Sequence, residues 1–250
     1  MSLPASVLLM VAALAWVLVA TLSRGMAHMP GAMGMSLLGF VAMWVLMMTA
    51  MMLPTIGPFV TLYTRTYAEH RALRATMLAL GYLVVWGAAG VPAYLVAALG
   101  EHLAADRPSA ATALAVGIFL VCGVYQFSPF KDRCLSHCRS PLGDLVRYGA
   151  YKGAGRDLRV GVIHGGYCLG CCWPLMAVLV AVGLMNLLAM GLIVVAVLVE
   201  KYSWWGERFS RAVGVAALIL GVLVIARPEL AGGLYQTPDD SMSQESTGGM

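Results

Sequence analysis

Six cysteines and seventeen methionines stand in this chain of 250 residues, and thiolate and thioether are the soft metal donors of the protein alphabet. The densest group is HGGYCLGCCWPL, residues 164–175. On a helix turning about 100° per residue, Cys168, Cys171 and Cys172 fall at roughly 40°, −20° and 80° from His164. One imidazole and three thiols then share one face, a donor set suited to a soft ion such as Cu(I). Free cysteine is also a common buried apolar residue, and a core histidine can simply hydrogen-bond a carbonyl. Four ligand-type side chains on one arc weigh against packing alone. Cys122, isolated in another apolar segment, is assigned to packing.

A second group, KDRCLSHCRSP at 131–141, places Cys134, His137 and Cys138 at i, i+3 and i+4. These converge if the segment is helical. Lys131, Arg133 and Arg139 flank them and are expected to lower the thiol pKa values. Methionine supplies two further clusters. MAHMPGAMGM at 26–35 holds His28, Met29, Met33 and Met35 beside Met26. Thioethers resist disulfide formation, so such a loop suits Cu(I) capture in an oxidising compartment; the plainer alternative is an apolar loop resting on a membrane. In the segment 44–54, Met47, Met51 and Met52 share one helical face with Met43, and Met48 lies beside it. Methionine is a normal gap-filler, so this stripe reads as core as readily as ligand.

The elements that must position these groups follow from composition. The chain is 60% hydrophobic and 11% charged, against about 25% charged in a soluble domain. A bilayer crossing takes about 20 apolar residues of helix, and candidate spans lie at 4–22, 37–62, 75–98, 110–127, 160–184, 187–202 and 208–226. The expected fold is all-α, a polytopic transmembrane bundle of about seven spans. Residues 1–226 form one helical domain, and 227–250 form a disordered tail. The first span lacks a basic leader and a small-residue cleavage site, so it is expected to be retained. Pro54 should bend the second span.

Seven spans sort the loops into two sets. Thirteen of the sixteen basic residues fall in one set, and only Arg24, Arg107 and Arg227 fall in the other. The positive-inside rule makes the first set cytoplasmic, with the N-terminus inside and the C-terminus outside. The net charge of +4 therefore reflects topology, and nucleic acid is excluded as a partner. The spacing of Gly161/Gly165 and Gly166/Gly170 allows another helix to approach closely.

The sequence resembles a bacterial family of predicted metal-binding integral membrane proteins, largely uncharacterised in function. The resemblance rests on MMTAMMLP at 47–54, YQFSPFKDRCLSHCRSP at 125–141 and HGGYCLGCCWPLM at 164–176, followed by Met185-Asn186 and Glu200-Lys201. It covers about residues 40–202 and implies metal binding in the bacterial inner membrane.

The leading functional expectation is an integral membrane protein binding a soft metal, with Cu(I) first among the candidates, in copper transport, delivery or homeostasis. Its partners would be the lipid bilayer, the ion, and a metallochaperone or membrane copper enzyme. The ion would pass from the outer methionine loop, by the second-span thioethers, to the fifth-span thiols and then to Cys134, His137 and Cys138. No phosphate-binding loop marks an ATP-driven pump. The alternatives are a membrane thiol–disulfide oxidoreductase using Cys168-Leu-Gly-Cys171, uptake of mercuric or a similar ion, and a scaffold subunit of a membrane complex. Only the oxidoreductase would be an enzyme.

Overall fold

A computed structural model describes residues 3–26, 32, 34–67, 69–149, 151, 153 and 155–234. Among the described residues the regular structure is entirely helical. The helices are α1 (Leu3–Met26), α2 (Leu37–Thr66), α3 (Arg71–Asp106), α4 (Pro108–Tyr125), α5 (Pro129–Arg139), α6 (Pro141–Gly149), α7 (Arg156–Val182), α8 (Leu187–Tyr202) and α9 (Gly206–Ala226). Each expected span appears as a helix. Six of them (α1–α4, α7 and α9) are long and apolar enough to cross a membrane. α8, with 16 residues, is the short one.

Local chemistry sets the boundaries. Ser36 caps α2 by accepting from the Gly39 amide, and Asn186 caps α8 by accepting from the Ala189 amide, so two otherwise orphaned donors are satisfied. Gly183, at φ 116°, ends α7 in a conformation that disfavours side chains. Pro54 and Pro58 lie inside α2 without interrupting its assigned helix.

α7 is the axis of the site, and α3 packs against it at very short range. A Cβ on Gly81 would lie 2.2 Å from the Leu158 carbonyl oxygen, and one on Gly161 would lie 2.1 Å from that of Leu78. The Gly161/Gly165 pair does the work expected of small residues at a helix crossing.

Two features go beyond the sequence expectation. The polar stretch after α4 folds into α5 and α6 and packs on the bundle, α5 against α7 and α8 and α6 against α2. Room for α5 exists because α4 and α8 stop partway along α7. Tyr125 at the end of α4 hydrogen-bonds the Gly170 carbonyl, and Lys201 near the end of α8 reaches Cys168. The tail also differs, since its first residues are ordered. Pro228–Ala231 forms a 3₁₀ turn, the Gly233 amide donates to the Ala181 carbonyl, and Leu234 is buried. Leu234 occupies the space that a side chain at Gly100 would fill, 2.1 Å from such a Cβ. Burial of that leucine gives the segment a reason to order.

Candidate metal centre

The regular helix of α7 brings Cys168, Cys171 and Cys172 together, fully buried, with their three sulfurs all within 4.8 Å of one another. Cys168 and Cys172 sulfurs lie 3.9 Å apart. Cys171 and Cys172 thiols both donate to the Cys168 carbonyl, at 3.1 and 2.8 Å. That turn of helix therefore fixes the direction of two of the thiols.

α5 adds to the same cluster. The Cys138 sulfur lies 4.0 Å from that of Cys171. Cys134 packs on the other side of the same turn, where a Cβ on Gly170 would stand 2.7 Å from its sulfur. Gly170 is thus the seat that lets α5 come down on α7. The two cysteine groups, separate in sequence, meet in one place.

The charges around these sulfurs are the part that sequence reading missed. Lys201 of α8 is buried, 3% exposed, and its ammonium donates to the Cys168 sulfur at 3.0 Å and to Thr55 Oγ1 of α2 at 3.1 Å. The Tyr82 hydroxyl of α3 lies 3.0 Å from the same sulfur. Cys168 is thereby held between a cation and a hydroxyl. The preceding residue, Glu200, belongs to another cluster. It receives Lys131 of α5 at 2.8 Å, while the Gln126 side-chain oxygen accepts from both Lys131 and Ser210. This second cluster ties α5 to α8, α9 and the end of α4.

Basic residues flanking Cys134 and Cys138 do not act as expected. Lys131 is engaged by Glu200 and Gln126, Arg139 donates to the Ser203 carbonyl, and Arg133 is exposed. Burial instead pushes the Cys134 thiol pKa up. That of Cys138 is pushed well up, first by hydrogen bonding with the Cys168 and Cys171 sulfurs and then by burial.

The histidines pair with a carboxylate. His137 Nδ1 hydrogen-bonds Asp144 Oδ1 at 3.1 Å, while His164 Nδ1 faces Asp144 Oδ2 at 3.5 Å and both of those buried atoms are without a hydrogen-bond partner among the described residues. Phe59 stacks on the His164 ring at 4.4 Å between centroids, and Tyr167 covers His137. A carboxylate behind an imidazole fixes ring orientation, as it does behind metal-bound histidines. The grouping within 4.8 Å contains the three cysteines and neither histidine.

Met47, Met48, Met51 and Met52 are all fully buried in the main core. The Met52 carbonyl accepts from the Thr55 and Tyr82 hydroxyls, which in turn contact Lys201 and Cys168. Met35 is half-buried against the core. His28, Met29 and Met33 lie outside the described residues. Cys122 is buried in α4, as its packing role requires.

Two signals for the missed groups were present in the sequence. Glu200 and Lys201 end an otherwise apolar segment, and ionisable residues at such a place are functional candidates. Asp144 is an acid in a segment otherwise rich in basic and apolar residues. Thr55 and Tyr82 carry no sequence signal that separates them from ordinary helix residues.

Fold and site together define a helical bundle, rich in long apolar helices, with a buried multi-thiol centre on its central helix. Residues 41–224 match the family model PpoB2, described as a copper chaperone. The chain belongs to this copper-chaperone family. No curated protein and no solved structure matches it.

Proposed function

We propose that this protein is an integral membrane copper-binding protein that holds Cu(I) on the α7 thiols and delivers it to a partner, a metallochaperone or a membrane copper enzyme. Cys168 and Cys172, with sulfurs 3.9 Å apart, supply the two holding ligands, Cys171 is the third sulfur of the group, and Cys138 is the donor from α5 through which the ion is passed on. The chain sits in the bacterial cytoplasmic membrane with its N-terminus inside and its C-terminus outside. α5 and α6 then lie on the cytoplasmic side, where thiols stay reduced.

The observation that carries this reading is the sulfur-only cluster, three thiols within 4.8 Å in a member of a copper-chaperone family. Soft donors without a carboxylate or imidazole in the group favour Cu(I) over harder ions. The fourth sulfur, Cys138 at 4.0 Å from Cys171, supplies the neighbouring ligand that stepwise exchange needs.

The test is metal analysis of the detergent-purified protein expressed with copper or with zinc in excess. Wild type should retain copper, and Cys168→Ala/Cys172→Ala should fall to background. Equal retention of zinc, or copper retained without the two sulfurs, overturns the reading.

A further inference from the structure

We propose that Lys201 sets the charge of the ion this centre accepts, favouring a monovalent soft ion over a divalent one of the same linear geometry. The proposal rests on the thiol site argued above. Among the described residues, neither nearby buried carboxylate pairs with Lys201. Glu200 is held by Lys131 at 2.8 Å, and Asp144 faces His137 and His164. The Lys201 ammonium, 3.0 Å from the Cys168 sulfur, therefore has sulfur as its counter-charge.

The consequence is a charge count in a buried place. A monovalent ion on two thiolates makes a complex of charge −1, and the ammonium beside it brings the site to neutrality. A divalent ion on the same two thiolates is already neutral, so the ammonium leaves a buried charge of +1. An uncompensated buried charge is costly. In linear coordination by Cys168 and Cys172 the third sulfur, Cys171, stays a neutral thiol that donates to the Cys168 carbonyl at 3.1 Å, so no third thiolate restores the balance. Cu(I) and Hg(II) are both soft, closed-shell and content with two sulfurs, so sulfur chemistry alone separates them poorly. Lys201 separates them by charge, without itself binding the ion. It is a specificity-determining residue, and the hydroxyl of Thr55 at 3.1 Å holds it in position.

The experiment measures Cu(I) and Hg(II) affinities of the full-length protein in detergent, by equilibrium dialysis against glutathione with metal mass spectrometry. In Lys201→Met, Cu(I) affinity should fall by roughly tenfold or more, as expected for loss of an adjacent charge in a site of low polarity. Hg(II) affinity should stay constant or rise. Lys201→Arg keeps the charge and should keep the wild-type ratio of the two affinities. Should Lys201→Met fail to assemble, Lys201→Gln gives a second charge-free variant with a polar end for Thr55. An unchanged Cu(I)/Hg(II) ratio in the charge-free variant overturns the role of Lys201. Cys168→Ala/Cys172→Ala, run beside them, should lose both ions. If it keeps both, the thiol site is misplaced and the proposal falls with it; if it loses both while the ratio holds in Lys201→Met, only the role of Lys201 is lost.

Discussion

Two buried lysines stand at one helix end, Lys131 of α5 against Glu200 and Lys201 as the next residue along α8, and they are placed in opposite ways. Lys131 is wholly enclosed, 0% exposed, and pairs with Glu200, 1% exposed, with Gln126 and Ser210 completing the cluster. Lys201 is as deeply buried but has sulfur and hydroxyls for company. Glu200 and Lys201 point about 100° apart around α8, so one helix end serves both clusters. A buried ion pair with satisfied hydrogen bonds is closed to other ligands and acts as a joint between helices. A buried cation with a thiol for partner is a place where an anionic complex can form. The comparison separates what holds α5 in place from what the cluster does.

The largest expected effect breaks the joint. Lys131→Met strands the Glu200 carboxylate inside the bundle and should destabilise the protein by about 3–5 kcal/mol, the usual cost of removing one partner of a buried pair. Lys131→Met/Glu200→Met removes both charges and should recover most of that loss. Thermal unfolding in detergent reads both, and Lys201→Met, which strands no carboxylate, should shift the midpoint less than Lys131→Met does. If the single and double variants at 131 and 200 unfold alike, the pair is not a unit and the contrast between the lysines fails.

A smaller effect sharpens the electrostatic side of the contrast. Cys134 and Cys138 have raised thiol pKa values, so each stays protonated at pH values where an ordinary cysteine begins to ionise. Iodoacetamide labelling of the copper-free protein, followed by peptide mass spectrometry, should give rate profiles displaced to higher pH than that of a free thiol. The sign for stability is the same. The folded state binds these protons more tightly than the unfolded chain, so their contribution is present below the ordinary thiol range and is lost as pH rises through the folded pKa. Fast labelling at pH 7 would return the flanking basic residues to the role that the sequence suggested.

Legibility in the sequence followed the range of the interaction. Seven apolar segments could be read because hydropathy is a local property, and the arc of Cys168, Cys171 and Cys172 could be read because helical period is local too. α5 and α6 were harder, since short polar helices carry little periodic signal and are formed by docking on α2, α7 and α8. That Cys138 meets Cys171 is a tertiary fact, fixed by the early ends of α4 and α8 and by the bare surface of Gly170. Lys201 was visible, but a basic residue at the end of an apolar run has the look of a topology marker, and nothing local shows that its ammonium reaches Cys168. His164 shared the right arc, and only the tertiary fold shows Asp144, carried in from α6, facing its Nδ1 at 3.5 Å.

The smallest expected effect concerns the methionines of α2, and it tests where the centre ends. Met47, Met48, Met51 and Met52 are fully buried, and the part of this stripe tied to the site is the Met52 carbonyl, which accepts from Thr55 at 2.8 Å. A backbone carbonyl survives any side-chain substitution. Replacing each methionine by leucine keeps the apolar volume roughly constant, so each change should cost less than about 1.5 kcal/mol. Copper affinity should stay at the wild-type value in Met47→Leu, Met48→Leu and Met51→Leu, because the stripe fills the core between helices. Met52→Leu is the informative member, lying one turn from the threonine that positions Lys201. It too should keep wild-type affinity if only its carbonyl matters. Affinity by chelator competition and unfolding midpoint would be measured on the same four variants. A drop in affinity with an unchanged midpoint would make a thioether a ligand, and the centre would then extend from α7 into α2. A drop in both would instead mean that the stripe holds Thr55, and through it Lys201, in place.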